Sequence, residues 1–159
     1  MQVAVAKPVP HFPLQLLCMT VLAAASMPCH AAIDLTPDAR LVADLEVRAV
    51  QANPREKPYL YTELADKLTL MASRQIQNGD LDQASVTLEK VEACSARIES
   101  EISDKSKGMK KAEMLMHATG RRLSDMLRAS PSDIKPRLQA TLKRLNDAQN
   151  SLLSKMFEH

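Results

Sequence analysis

Residues 81–128 read LDQASVTLEKVEACSARIESEISDKSKGMKKAEMLMHATGRRLSDMLR. No proline interrupts them. Leu88, Val91, Ser95, Ile98, Ile102, Lys105, Met109, Ala112, Met116, Thr119, Leu123 and Met126 follow one another at alternating spacings of three and four. That alternation is the mark of a helix with one buried stripe. Read as one piece, the stretch predicts a continuous central helix about 70 Å long at ~1.5 Å per residue. Its weak point is Ser106-Lys107-Gly108, where the seam is diluted and glycine costs ~1 kcal/mol against alanine in a helix.

Working toward the carboxy terminus, Ala129-Ser130-Pro131 breaks the pattern and Ser132-Asp133 offers caps for a last helix. Pro136 is acceptable in the first turn of that helix, where no backbone donor is required. Leu138, Leu142, Leu145, Gln149, Leu152 and Met156 form a second three-four seam. A short turn predicts that this helix runs back along the central one as an antiparallel coiled coil, with Leu123, Leu138, Leu142 and Leu145 buried.

On the amino-terminal side, Thr36-Pro37-Asp38 is a helix start: a cap, a residue suited to the first turn, and an acid at the positive end of the dipole. Leu41, Val42, Leu45 and Ala49 make its apolar stripe, and Asn53-Pro54 ends it, since the residue before proline avoids the helical region. A second helix starts near Pro58 and carries Tyr61, Leu64, Ala65, Leu68, Ala72 and Ile76. Asn78-Gly79 closes it, with Asp80 placed to cap the next helix, so the two predict a tight antiparallel hairpin. The expected fold is all-α: a helical hairpin followed by a long central helix packed antiparallel with a C-terminal helix.

The chain has no Trp, 3 Gly and 3% aromatic residues, a mixture that favours helix over sheet. Its formal net charge is only +2, but the charge is unevenly spread. From 34 to 104 there are 14 acids and 8 bases, and from 105 to 145 there are 11 bases and 3 acids. In the extended arrangement these become an acidic end and a basic end, suited to an anionic partner or to self-association.

Lys7, the apolar run from Leu14 to Ala25 and Cys29-His30-Ala31 have the anatomy of a secretory leader. The run falls short of the ~20 apolar residues a membrane-crossing helix needs. Residues 1–31 are therefore expected to be a signal peptide cut near Ala31, and 32–159 a single helical domain, periplasmic or secreted. Of Cys18, Cys29 and Cys94, such a cut leaves Cys94 alone, and it reads as a small buried hydrophobe.

Candidate chemistry is sparse. Glu113 and His117, four apart, share a helix face and could hold a metal ion, with His159 as a third donor. Met109, Met114, Met116 and Met126 surround His117, and thioether sulfur suits Cu(I); three of the four fall on the apolar seam, where core packing explains them. No Gly-x-Ser-x-Gly elbow and no Cys–His spacing indicates a nucleophile, so an enzyme is not expected and neither is a cofactor. Lys110, Lys111, Arg121 and Arg122 are the candidate surface contacts. From residue 105 onward the sequence offers only Phe157 as an aromatic residue, whereas nucleic-acid binders add stacking aromatics or a reading helix, so nucleic acid is not an expected partner.

Leu68, Ala72, Gly79-Asp80-Leu81, Ala84 and Leu88 sit near the positions preferred by a tetratricopeptide repeat, and residues 64–91 resemble one such unit. No second copy follows, so the resemblance implies a hairpin and not a peptide-binding array. Tyr59-Leu60-Tyr61-Thr62-Glu63-Leu64, Ala112-Glu113-Met114-Leu115-Met116-His117, Arg121-Arg122-Leu123 and Leu138-Gln139-Ala140-Thr141-Leu142-Lys143 carry a second likeness. Through them, residues 58–159 resemble a family of short, exported bacterial helical proteins of unassigned function. This resemblance implies export and helices, and no catalysis. The expected function is an exported, non-enzymatic helical interaction or scaffold module with an unknown protein partner or an anionic envelope surface. Self-association stays open, and a small binding protein for an anionic envelope component or a metal ion is the alternative.

Overall fold

In the computed structural model the residues described are 37–158, and all their regular structure is helical. The expected leader, its cut near Ala31, the Thr36 cap and His159 lie outside the described residues. The order is α1 (Pro37–Gln51), α2 (Lys57–Gln77), α3 (Leu81–Glu101), α4 (Met109–Ala129), a 3-10 turn (Ser132–Ile134) and α5 (Lys135–Phe157). No helix among them is long and apolar enough to cross a membrane.

The expected single central helix is two helices. Residues 102–108 leave the helical path, and Gly108 has φ +73°. Short polar residues organise the break. The Ser103 amide donates to Ser106 Oγ at 3.0 Å, and the Ser106 amide donates to the Ser103 carbonyl at 2.9 Å. Such local bonds offer the backbone an alternative to the helix ladder. The Lys107 amide then donates to the Arg55 carbonyl at 2.7 Å, tying this crossover to the α1–α2 crossover. The unbroken seam was real, but burial decided its use. A straight rod would leave much of both apolar stripes in water, and folding back at 102–108 buries them against each other.

The α2–α3 turn is as expected at Gly79, which has φ +84°. The Gly79 amide donates to the Ile76 carbonyl at 3.1 Å and the Asp80 amide to the Gln75 carbonyl at 2.8 Å, the paired bonds of a glycine helix stop. The expected side-chain caps are not used. Asp80 makes no side-chain cap bond, and Ser132 Oγ donates to Asp133 Oδ1 within the 3-10 turn. Pro136 sits in the first turn of α5, as anticipated.

Four helices close into a ring. Helix α2 packs on α3, α3 on α5, α5 on α4 and α4 back on α2, while α1 lies against α2. Within each sequential pair the helices are antiparallel. Between pairs they are parallel: Glu89 meets Arg137, Glu99 meets Arg144 and Asp104 meets Lys155. Leu68, Leu88, Ile98, Met116, Leu123, Leu138, Leu145 and Leu152 are fully buried in the shared core. Six hydroxyls are buried with them. Those of Thr62, Thr69, Thr87, Ser95, Thr119 and Thr141 each donate to the carbonyl four residues earlier, at 2.8–3.0 Å. Satisfied within their own helices, they occupy the core without orphaned polar atoms.

The last seam shifts accordingly. Because α5 faces both α3 and α4, its buried stripe is Leu138, Thr141, Leu145, Ala148 and Leu152. Leu142, expected to be buried, is only partly so and lies on the flank toward α4. Leu145→Ala should therefore cost ~2–5 kcal/mol and Leu142→Ala clearly less, by urea unfolding at matched m-values. Equal costs would refute the two-neighbour placement of α5.

Gly108→Ala should cost about 1–2 kcal/mol, since its left-handed backbone disfavours a Cβ. Gly120→Ala is the control. An added Cβ there would meet Asn146 Oδ1 at 3.6 Å, an ordinary contact, and helix propensity favours alanine by up to ~1 kcal/mol. Thermal melts of the two variants should move in opposite directions.

Candidate functional site

The ring rearranges the charge that the sequence displays as two separate halves. The acidic helices do not sit at one end; they lie alongside the basic ones. Arg137 Nη2 is 2.8 Å from Glu89 Oε1, and its Nη1 is 3.6 Å from Glu92 Oε1. Arg144 reaches Glu99 at 3.0 Å, and Lys155 reaches Asp104 at 3.8 Å. The ammonium of Lys155 is held above its ordinary pKa first by its hydrogen bond to Glu158, then by the charges of Glu158 and Asp104. These contacts engage three of the α5 cations, and Lys143 pairs with Asp147 of its own helix.

On α4 the candidate cations separate. Arg122 turns inward. Its Nη1 donates to Asp66 Oδ1 at 2.6 Å, and the Asp66 side chain is only 7% exposed. The Thr119 hydroxyl stands 3.2 Å from the same oxygen. Arg122 thus pairs with a buried carboxylate on α2, while its side chain stays 32% exposed. Lys110, Lys111 and Arg121 are exposed, and no ion pair engages them among the described residues.

At ~100° per residue, Lys110, Met114, His117, Arg121 and Arg128 fall within about 60° of one another on the outside of α4. Met114, 62% exposed, is the one member of the methionine cluster that turns outward; Met116 and Met126 are buried and Met109 packs against the core. Arg128 is bonded to Asp125 within its own helix. The stripe borders a shallow groove of about 280 Å³ between α4 and α5, lined by His117, Gly120, Arg121, Ser124, Asp125, Arg128, Leu142, Asn146 and Gln149. Lys111 lies about 100° from the stripe and faces a different cleft.

Among the described residues, no metal-ligand set gathers around Glu113 and His117. Gln149 Nε2 donates to Glu113 Oε1 at 3.3 Å, and His117 is exposed on the groove side. Among the described residues no group of three His, Cys, Asp or Glu side chains stands close enough to hold an ion.

A larger cleft, of about 470 Å³, lies where the two crossovers meet. Arg48 and Ala52 come from the end of α1 and its exit, and Glu56 from the first crossover. Tyr59 and Leu60 come from the first turn of α2, Lys107 and Gly108 from the second crossover, and Lys111 from the first turn of α4. The Tyr59 ring lies 3.5 Å from where a Cβ on Gly108 would stand. Sequence reading picked out Lys111 among these eight and missed the others. Periodicity cannot reveal a cleft assembled from two loops 50 residues apart. The one available signal was Gly108, the break point that joins them.

No known protein family, curated protein or solved structure matches this chain.

Cys94 is buried on α3, as the sequence suggested. Burial pushes its thiol up from 9.0 to about 12; Glu46 adds to the shift and Lys90 opposes it. The thiolate is the reactive form, so iodoacetamide at about pH 8 should label Cys94 on the order of 10³-fold more slowly in the native chain than in urea. Peptide mapping separates its signal from Cys18 and Cys29. Above 9.0 the unfolded chain loses this proton while the folded chain keeps it to about 12. The folded state then holds more protons, so Cys94 makes stability fall as pH rises through that window. Fast native labelling would contradict the burial.

Proposed function

We propose that this chain is an exported, non-enzymatic helical interaction module whose outer α4 face takes an acidic surface of a protein partner. One observation carries the reading. The α5 cations Arg137, Arg144 and Lys155 are matched by acids of α3 and the turn after it, while Lys110 and Arg121 stand exposed with no such match. Uncompensated charge in line along a rigid helix steers and orients an oppositely charged partner. Exposed Met114 gives the same stripe an adaptable apolar contact. Export rests on the leader anatomy of residues 1–31. The tetratricopeptide likeness of residues 64–91 enters only as the α2–α3 hairpin that supports α4 from behind.

The same cations also fit an anionic envelope polymer or lipid, so the test separates the two. The tagged full chain is crosslinked in intact cells, and captured proteins are identified by mass spectrometry beside the Lys110→Glu, Arg121→Glu double variant. Arg122 is left in place because it neutralises Asp66. The double reversal should lower capture of the specific partner by at least ~10-fold, more at low salt, where screening is weak. His117→Ala should leave capture unchanged. Capture unaffected by charge reversal and abolished by His117→Ala would overturn the reading in favour of chemistry at His117. Retention on phosphatidylglycerol vesicles without any captured protein would move the assignment to the envelope surface.

A further inference from the structure

We infer that the crossover cleft binds a small single-chain amphiphilic anion, with its apolar body on Tyr59 and Leu60 and its carboxylate directed to Arg48 and Lys111. This site is distinct from the α4 stripe and does not depend on the function proposed for it.

Three features of the cleft lead there. Its size, about 470 Å³, falls within the ~300–1,000 Å³ typical of small-molecule sites, and the α4–α5 groove at about 280 Å³ falls below it. Its walls divide by chemistry. The half-buried Tyr59 and Leu60 supply apolar surface, and Arg48, Lys107 and Lys111 supply positive charge. Finally, the charge is in excess. Glu56, the one acid of the lining, lies 3.7 Å from Lys107 and offsets it. Arg48 and Lys111 have no ion-pair partner among the described residues.

An apolar floor beneath two uncompensated cations selects for a ligand with both characters. A simple anion such as acetate would leave Tyr59 and Leu60 wet. A neutral chain would leave the cations unused. A decanoate-like carboxylate satisfies both.

The cleft is also held from both sides. The Lys107 amide bond to the Arg55 carbonyl joins the two crossovers, and Gly108 keeps the space beside the Tyr59 ring free of a side chain. The walls are therefore set before a ligand arrives, which lowers the ordering cost of binding.

The test titrates the full chain with decanoate, decanamide and acetate below the micelle concentration of decanoate. Binding is followed by amide NMR shifts and by tyrosine fluorescence, since the chain has no Trp and its 2 Tyr are Tyr59 and Tyr61. Decanoate should bind saturably and move the amides of Ala52, Leu60 and Gly108 while leaving those of Ser124 and Asn146 in place. Decanamide and acetate should each bind at least ~10-fold more weakly. The Arg48→Gln, Lys111→Gln double variant should keep the wild-type melt, because neither residue holds an ion pair, and should lose at least ~10-fold in decanoate affinity. Any of three results would overturn the inference: equal binding of decanoate and decanamide, shifts centred on the α4–α5 groove, or affinity for phosphatidylglycerol vesicles with no saturable decanoate binding.

Discussion

Gly108, left-handed at φ +73°, is the point on which the arrangement turns. Upstream and downstream of it the chain keeps one three-four apolar rhythm, and a helix could in principle run through. A rod of that length would have two stripes to bury and too little surface to bury them against. Reversing the chain over residues 102–108 places two hairpins side by side, and each stripe becomes a quarter of one core. The cost is a broken ladder and one backbone conformation that glycine alone takes easily. The gain is the burial of whole leucine, isoleucine and methionine side chains at about 1.5–3 kcal/mol each.

Charge sets which faces meet. Glu89, Glu92, Glu99 and Asp104 run down α3 and into the crossover, opposite Arg137, Arg144 and Lys155 on α5. Exposed pairs of this kind contribute ~0–1 kcal/mol each, so they do not hold the bundle together. Their value is in orientation. In the parallel register, acids of α3 and its exit meet bases of α5 along the interface. Inside the bundle, Arg122 answers the buried carboxylate of Asp66 between α2 and α4. A carboxylate that is 7% exposed without such a partner would be strongly disfavoured.

The same folding event creates both surfaces with functional potential. Pairing of α5 with α3 and the turn after it engages Arg137, Arg144 and Lys155, while Lys110 and Arg121 on the outer face of α4 have no ion pair among the described residues. Joining the two crossovers through Lys107 and Arg55 encloses the cleft around Tyr59 and Leu60. The stripe lies on α4 alone, whereas the cleft draws on α1, both crossovers, α2 and α4. The cleft exists because segments far apart in sequence are held together by the core.

The sequence by itself determined the helices, most of their ends and the hairpin turn at Gly79, because these depend on interactions within a few residues: stripe periodicity, prolines and a glycine stop. It also marked Cys94 as a buried apolar residue and Leu123, Leu138 and Leu145 as core. Tertiary structure alone decided the break at 102–108, the half-exposure of Leu142, the inward turn of Arg122 and the site around Tyr59. Each of these is a contest between a local preference and a contact made by a distant segment. The periodic seam favoured one helix, and burial against α2 and α5 favoured two. Arginine ordinarily faces solvent, but Asp66 on another helix drew this one in. A pattern in one dimension records which face of a helix is apolar; only the packed chain records what that face, and the charges beside it, will meet.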